Sequence, residues 1–86
     1  MSNVYIMKCG EYRKIGVSNN PEKRLKAVQT GNPNVVSLEH YEERDNPHLV
    51  EKYLHSRFQS NRVEGEWFKD LTLNEIRIAM ITYTEG

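Results

Sequence analysis

Four residues of the sequence have side chains that together could hydrolyse a phosphodiester: Tyr5, Lys14, Arg24 and Glu51. Phosphate chemistry requires a cation on the non-bridging oxygens, and an arginine provides one with a planar, bidentate group. It also requires a carboxylate that holds a hydrated Mg²⁺ ion and a base for the attacking water. A tyrosine has a reference pKa of about 10, so it needs a neighbouring cation or metal to act as a base near neutral pH.

A polar corner separates Lys14 from Arg24, and the pattern around it predicts a strand followed by a helix. Residues 12–17 (YRKIGV) follow residues 4–8 (VYIMK) after a short turn that contains glycine, which is typical of a β-hairpin. Because residues of like parity share one face of a strand, Lys14 would share a face with Tyr5 if the hairpin register permits. The opposite face would carry core residues, Ile15 and Val17.

Two Asn-Pro pairs predict where helices begin. Asn20 would cap the first helix with Pro21 at its first position, and this helix would run to about Gln29 and end at a left-handed Gly31. The second pair gives the same signal for a helix over residues 47–58. Apolar residues of this segment recur at helical spacing: Leu49, Val50, Tyr53, Leu54 and Phe58.

A third strand and a third helix complete the predicted fold. Residues 35–41 are expected to form the strand and residues 59–64 a polar loop, while Thr72 and Glu75 make a capping box that opens the last helix. The inward positions of that helix would be Ile76, Met80 and Ile81. The predicted order is β-β-α-β-α-α in one domain (1–86), an α+β fold with a small three-stranded antiparallel sheet flanked by helices.

Composition excludes several classes of protein. Twelve Lys and Arg balance twelve Asp and Glu, so the zero net charge argues against general affinity for nucleic acids but leaves room for a local basic face. The single cysteine, Cys9, excludes an internal disulfide and a cysteine-based zinc site, and fits a reducing compartment. The sequence shows neither a membrane-spanning apolar run nor a signal-peptide stretch, so we expect a soluble, cytoplasmic protein.

Each candidate residue also has an ordinary structural explanation. Tyr5 could be a strand aromatic and Lys14 a solvent-facing lysine of the next strand. Arg24 could pair with a helix carboxylate, and Glu51 with His55 could be an exposed pair one helical turn apart. However, Arg24 and Glu51 both border the buried face of their helices, where a long side chain can reach a surface site.

Taken in order, several short segments resemble the GIY-YIG nuclease superfamily. They are VYIMK, KIG, NPEKRL, LVEKYLHSRF and GEWF, and the resemblance covers residues 3 to about 70. It is closest to the compact subfamily that is common in phage and bacterial proteins. The two strand motifs alone are loose, whereas the ordered set with GEWF is specific. The resemblance implies a phosphodiester hydrolase that uses a divalent metal ion.

The resemblance also implies a role for each residue that matches a motif. Tyr5 would activate the water, and Lys14, in place of the second motif's tyrosine, would lower the pKa of Tyr5. Arg24 would stabilise the charge on the phosphate, and Glu51 would bind a single Mg²⁺ (or Mn²⁺) ion. His55 is typical of the subfamily and is a further catalytic candidate. The substrate-binding candidates are Gly16, Lys23, Lys26 and Trp67.

The leading hypothesis is therefore a metal-dependent DNA endonuclease that acts by water attack and leaves 3′-hydroxyl and 5′-phosphate ends. The alternative is a catalytically inactive nucleic-acid-binding module of the same fold, which is favoured by the zero net charge and by a first motif that lacks its glycine. A protein-interaction domain is a third hypothesis. The expected partner is DNA and not a membrane, and a protein partner could supply sequence specificity. The sequence does not distinguish DNA from RNA, and it leaves the oligomeric state unknown.

Overall fold

The sheet has five strands, whereas three were predicted. The computed structural model of the protein describes residues 2–83. In chain order, its elements are β1 (Asn3–Cys9), β2 (Tyr12–Ser18), α1 (Pro21–Thr30), β3 (Ser37–Glu43), α2 (Pro47–Arg57), a short 3-10 helix (Gln59–Asn61), β4 (Arg62–Glu64), β5 (Trp67–Lys69) and α3 (Leu73–Thr82). The strand order is β3-β1-β2-β5-β4, and every neighbouring pair is antiparallel. The prediction of a three-stranded sheet in the order β-β-α-β-α-α was therefore wrong.

The two strands that were not predicted form a short hairpin beside β2. All three residues of β4 are exposed, so this strand shows no alternation of apolar and polar positions. In β5 only Phe68 is fully buried, and Gly65 makes the turn between the two strands with a φ of 55°. Both strands are only three residues long, and β5 is stabilised by pairing with residues of β2 that are distant in the sequence. A segment of this kind carries little strand signal of its own.

The predicted helix starts are confirmed, but one predicted helix end is wrong. The side chain of Asn20 accepts a hydrogen bond from the Lys23 backbone N–H at 3.1 Å, and Thr72 and Glu75 form the reciprocal capping box. Gly31 has a φ of −89°, so α1 does not end in a left-handed glycine. In the part of the chain from 2 to 83, no helix is long and apolar enough to cross a membrane.

Strand β3 begins two residues later than predicted because a side chain of α1 holds the preceding loop. The amide of Gln29 donates to the carbonyl oxygen of Asn34 and accepts from the backbone N–H of Val36, both at 2.8 Å. These bonds take up backbone groups that would otherwise pair with a neighbouring strand. Residues 34–36 therefore form a loop rather than the start of the strand.

The helices cover the two faces of the sheet unequally. On one face α2 and α3 enclose the larger core, and on the other α1 lies over a smaller apolar cluster. Ile81, predicted to point inward, is 74% exposed. The larger core consists of Val4, Ile6, Ile15, Val50, Leu54, Phe58, Phe68, Leu71, Ile76, Ala79 and Met80. The buried residues of the smaller cluster are Tyr5, Met7, Cys9 and Val36.

Candidate active site

Tyr5 lies against Gly16, and this contact requires a glycine. The two residues are directly opposite each other in the antiparallel pair of β1 and β2, so their side chains share the face under α1. A Cβ atom built on Gly16 would overlap the phenol oxygen of Tyr5 and lie 2.5 Å from its Cζ atom. Gly16, predicted to be a substrate-binding residue, thus makes room for the tyrosine ring, and its role in substrate binding stays a prediction. Tyr5 is only 1% exposed.

Arg24 reaches from α1 to the phenol of Tyr5. Its guanidinium lies close enough to the phenol to act to lower the pKa of Tyr5, which joins two candidates from separate elements. Burial raises the pKa of Tyr5 above its usual value, and the interaction with Arg24 offsets only part of this rise. At neutral pH Tyr5 is therefore a phenol rather than a phenolate.

Lys14 has a different partner from the one predicted. Its ammonium lies 3.0 Å from a carboxylate oxygen of Glu66 and 5.5 Å from the ring centroid of Trp67. Lys14 is 8% exposed, so this ion pair compensates a charge that is almost completely buried. Arg24 acts to lower the pKa of Tyr5, and the same role for Lys14 stays a prediction.

Glu51 and His55 approach Glu66 from the other side of the sheet. One potential ligand atom from each of these three residues lies within 4.8 Å of the others. Burial raises the pKa of Glu51, and the charge of Glu66 and a hydrogen bond with it raise that pKa further.

The ring of His55 is oriented by the backbone of β2. Its Nε2 atom lies 2.9 Å from the carbonyl oxygen of Ile15, and a carbonyl has no proton to give, so Nε2 carries the hydrogen and donates. The other nitrogen, Nδ1, then has its lone pair available when the ring is neutral. Histidines that bind metals are commonly held by such a bond to a backbone carbonyl.

Glu66 can meet both groups because it lies where β5 separates from β2. The two strands pair only over Tyr12–Lys14, and the last contact beyond them is the hydrogen bond from the Ile15 N–H to the Glu66 carbonyl at 3.1 Å. From this point on, no neighbouring strand pairs with the outer side of β2 among the described residues. Side chains from opposite faces of the sheet can therefore meet around the exposed edge of the strand.

An open cleft of about 430 Å³ lies at this edge. Of the predicted catalytic residues, Tyr5 and Arg24 line it directly, and Glu66 connects it to the others. The cleft also contains His48, from the first turn of α2. The complete lining is Ser2, Tyr5, Val17, Ser18, Asn19, Arg24, His48 and Glu66.

The predicted substrate-binding residues are more widely dispersed. Lys23 and Lys26 are both exposed on α1, but only Lys23 borders the smaller pocket that continues from Arg24. Trp67 contacts Lys14 and lines a separate groove on the same face, with Cys9 and other residues. None of these three residues lines the cleft itself.

Sequence reasoning missed two residues of this site, Glu66 and His48. Glu66 lies inside the GEWF segment, which was used only as a mark of resemblance. His48 precedes Glu51 by three residues, a spacing that places both on one side of a helix. This spacing was a signal that could have marked His48, whereas Glu66 had no candidate residue near it in the sequence other than Trp67.

The residues around Glu66 fit a divalent cation. Two carboxylates are the ligands that Mg²⁺ and Mn²⁺ prefer, and His55 adds a nitrogen donor that suits other transition metals as well. The separation of at most 4.8 Å between the ligand atoms requires only small side-chain movements to bring them to one ion. The candidate ligands are therefore Glu51, His55 and Glu66.

The comparisons with known proteins identify a family but no individual relative. No curated protein and no solved structure matches the chain. The family model described as T5orf172 domain matches residues 3–82, which is nearly the whole chain. This family is associated with nuclease-like proteins and is compatible with a function that involves nucleic acids, although no specific activity follows from the match. With a match of this length, the chain belongs to the T5orf172 domain family.

Proposed function

We propose that this domain is a metal-dependent DNA endonuclease of the GIY-YIG type, which hydrolyses phosphodiester bonds by water attack. The observation that carries the proposal is the position of Glu66. It pairs with Lys14, lies within 4.8 Å of the ligand atoms of Glu51 and His55, and lines one cleft with Tyr5 and Arg24. Membership of a family associated with nuclease-like proteins supports the same reaction class.

In this proposal, Arg24 binds the non-bridging oxygens of the scissile phosphate. Arg24 is exposed on α1 and lines the cleft together with Tyr5. An arginine that faces a phosphate can donate two parallel hydrogen bonds, which stabilise charge that develops in the transition state. Lys14 lies beside the site in an ion pair with Glu66, which lines the cleft.

The cation would be held by Glu51, with His55 and Glu66 as further ligands. When bound, a divalent ion in this position supplies positive charge to the phosphate and lowers the pKa of a coordinated water. Its ligands come from α2 and from the residue before β5. The site therefore forms only when the chain is folded.

Activation of the attacking water is assigned to Tyr5. The tyrosine must first lose its proton, and burial opposes this while Arg24 favours it. The assignment thus predicts a reaction that accelerates as the pH rises.

Cleavage of a supercoiled plasmid in Mg²⁺ tests the proposal. We expect the wild type to nick the plasmid, and Glu51→Ala and Arg24→Ala to lose about 10²-fold or more of the rate. Glu43→Ala and Arg77→Ala are matched controls, since both residues are exposed and lie outside the cleft. Equal nicking by the wild type and both site variants would indicate a contaminating nuclease or a wrong site.

The second candidate function is a nucleic-acid-binding module without turnover. The ion pair between Lys14 and Glu66 favours it, because it neutralises one of the cations that a substrate phosphate would otherwise meet. This candidate predicts salt-dependent binding in EDTA and no cleavage in Mg²⁺. Measurements of binding in EDTA and of cleavage in Mg²⁺ on the same oligonucleotide separate the two functions.

A further inference from the structure

The three histidines of the chain differ in what holds them. His40 is bonded through Nε2 to Glu42 at 2.9 Å, and His55 is bonded through Nε2 to the carbonyl of Ile15 at the same distance. His48 is exposed and has no hydrogen bond or ion pair with any residue between 2 and 83. It is also the only histidine of those residues that lines the candidate cleft.

Hydrolysis of a phosphodiester requires a proton on the leaving oxygen as well as a base for the water. Few side chains in the cleft can donate this proton to the leaving oxygen. Arg24 keeps its proton at any relevant pH, Tyr5 is assigned to the water, and Glu66 is paired with Lys14. The remaining lining residues apart from His48 have apolar, amide or hydroxyl side chains. An imidazole is the side chain best suited to give a proton near neutral pH.

We infer that His48 is the general acid that protonates the leaving 3′ oxygen, an inference that rests on the proposed function. The water oxygen forms a bond to phosphorus as the bond from phosphorus to the 3′ oxygen breaks. The water gives one proton to the Tyr5 phenolate, and the His48 imidazolium gives one to the 3′ oxygen. One water is consumed, no redox change occurs, and both side chains then exchange protons with solvent.

The helix places His48 correctly for this role. It lies in the first turn of α2, and Glu51 follows three residues later on the same side of the helix. The positive charge of His48 acts on Glu51 in the direction that lowers its pKa, so the two groups are within electrostatic range. His48 therefore lies beside the proposed cation ligands without being one of them. This leaves its ring able to approach a leaving group in the cleft.

A substrate whose leaving atom is sulfur tests the inference directly. In an oligonucleotide with a single 3′-S-phosphorothiolate linkage, the leaving thiolate is a weak base and needs no proton donor. We expect His48→Gln to slow cleavage of the ordinary oxygen substrate in Mg²⁺ by about 10²-fold, the usual contribution of a general acid. The same variant should cleave the sulfur substrate at the wild-type rate.

The control is Lys52→Gln, which removes another exposed side chain from the same helix. It should cleave both substrates as the wild type does, and both variants should melt at the wild-type temperature. An equal loss on both substrates, or no loss on either, would overturn the role of His48 and leave the endonuclease intact. If the wild type cleaves neither substrate, the proposed function fails, and the inference fails with it.

Discussion

The two faces of the sheet differ in what they bury. Under α2 and α3 the buried side chains of the larger core are all apolar. Under α1 the buried set is much smaller, and the ammonium of Lys14 and the phenol of Tyr5 lie among its apolar neighbours. Burial of apolar surface dominates stability, whereas buried polar groups add little unless each has a partner. The comparison indicates that the face under α2 and α3 supplies most of the apolar burial, and that the candidate site lies where the two faces meet, with residues from both.

The largest effect should come from removing a large side chain on the apolar face. Phe68→Ala should lower the free energy of unfolding by about 3–5 kcal/mol, because Phe68 is fully buried and its loss leaves a cavity. Leu25→Ala on the α1 face should cost much less, on the order of 1 kcal/mol, since this side chain is only partly buried. Urea denaturation measures the free energy of unfolding of both variants. Equal losses would break the contrast between the two faces.

The second prediction concerns the raised pKa of Tyr5. If its phenolate activates the water, the rate on the sulfur-leaving substrate should rise about tenfold per pH unit between roughly pH 7 and 9, because the group titrates above about pH 10. Stopped-time assays at several pH values with constant Mg²⁺ give the slope. Tyr5→Phe should abolish both the activity and the slope. A rate that is constant over this range would assign water activation to another group.

The third prediction tests the packing of the α1 face. Gly16→Ala should cost about 1–3 kcal/mol of stability, since the added methyl group overlaps the ring of Tyr5. In a Tyr5→Ala background the same substitution should be nearly neutral, and a double-mutant cycle by urea denaturation measures the difference. Equal costs in both backgrounds would mean that the glycine is needed for another reason.

The smallest effect should appear at the edge strand β3. Burial raises the pKa of Glu42, but hydrogen bonds from His40 and Arg44 outweigh it, so the net pKa is lower than in the unfolded chain. The lowered pKa of Glu42 stabilises the fold at pH values above the unfolded pKa of about 4.5. This stabilisation is lost as the pH falls through the pKa of Glu42 in the folded state. Because Glu42 is partly exposed, we expect this effect to contribute roughly 0.2–1 kcal/mol to the free energy of unfolding.

Urea denaturation at neutral pH and at pH 3 checks this value. Glu42→Gln should lose the corresponding part of the pH dependence, whereas Glu43→Gln, a change at the exposed neighbour, should keep it. A loss as large as that of Phe68→Ala would mean that charge at the sheet edge matters as much as the apolar core.

Local signals in the sequence predicted most of the helices and several strands. A cap such as Asn20, or the capping box of Thr72 and Glu75, acts within four residues, so its chemistry can be read directly from the chain. Where a longer-range contact competes with a local signal, the prediction failed. The loop held by Gln29 delays β3 by two residues, and the predicted left-handed Gly31 is not needed.

By itself the sequence determined which residues could do chemistry, and it marked Tyr5, Arg24 and Glu51 as candidates. Only the tertiary structure decided which of these residues lie close together, and that Glu66 is the residue that connects them. Lys14 and Glu66 are 52 positions apart, and they pair because β5, a strand of only three residues, adds to the edge of β2. The physical reason is that caps and helical periodicity depend on near neighbours in the chain, whereas strand pairing and burial depend on residues that are distant in sequence.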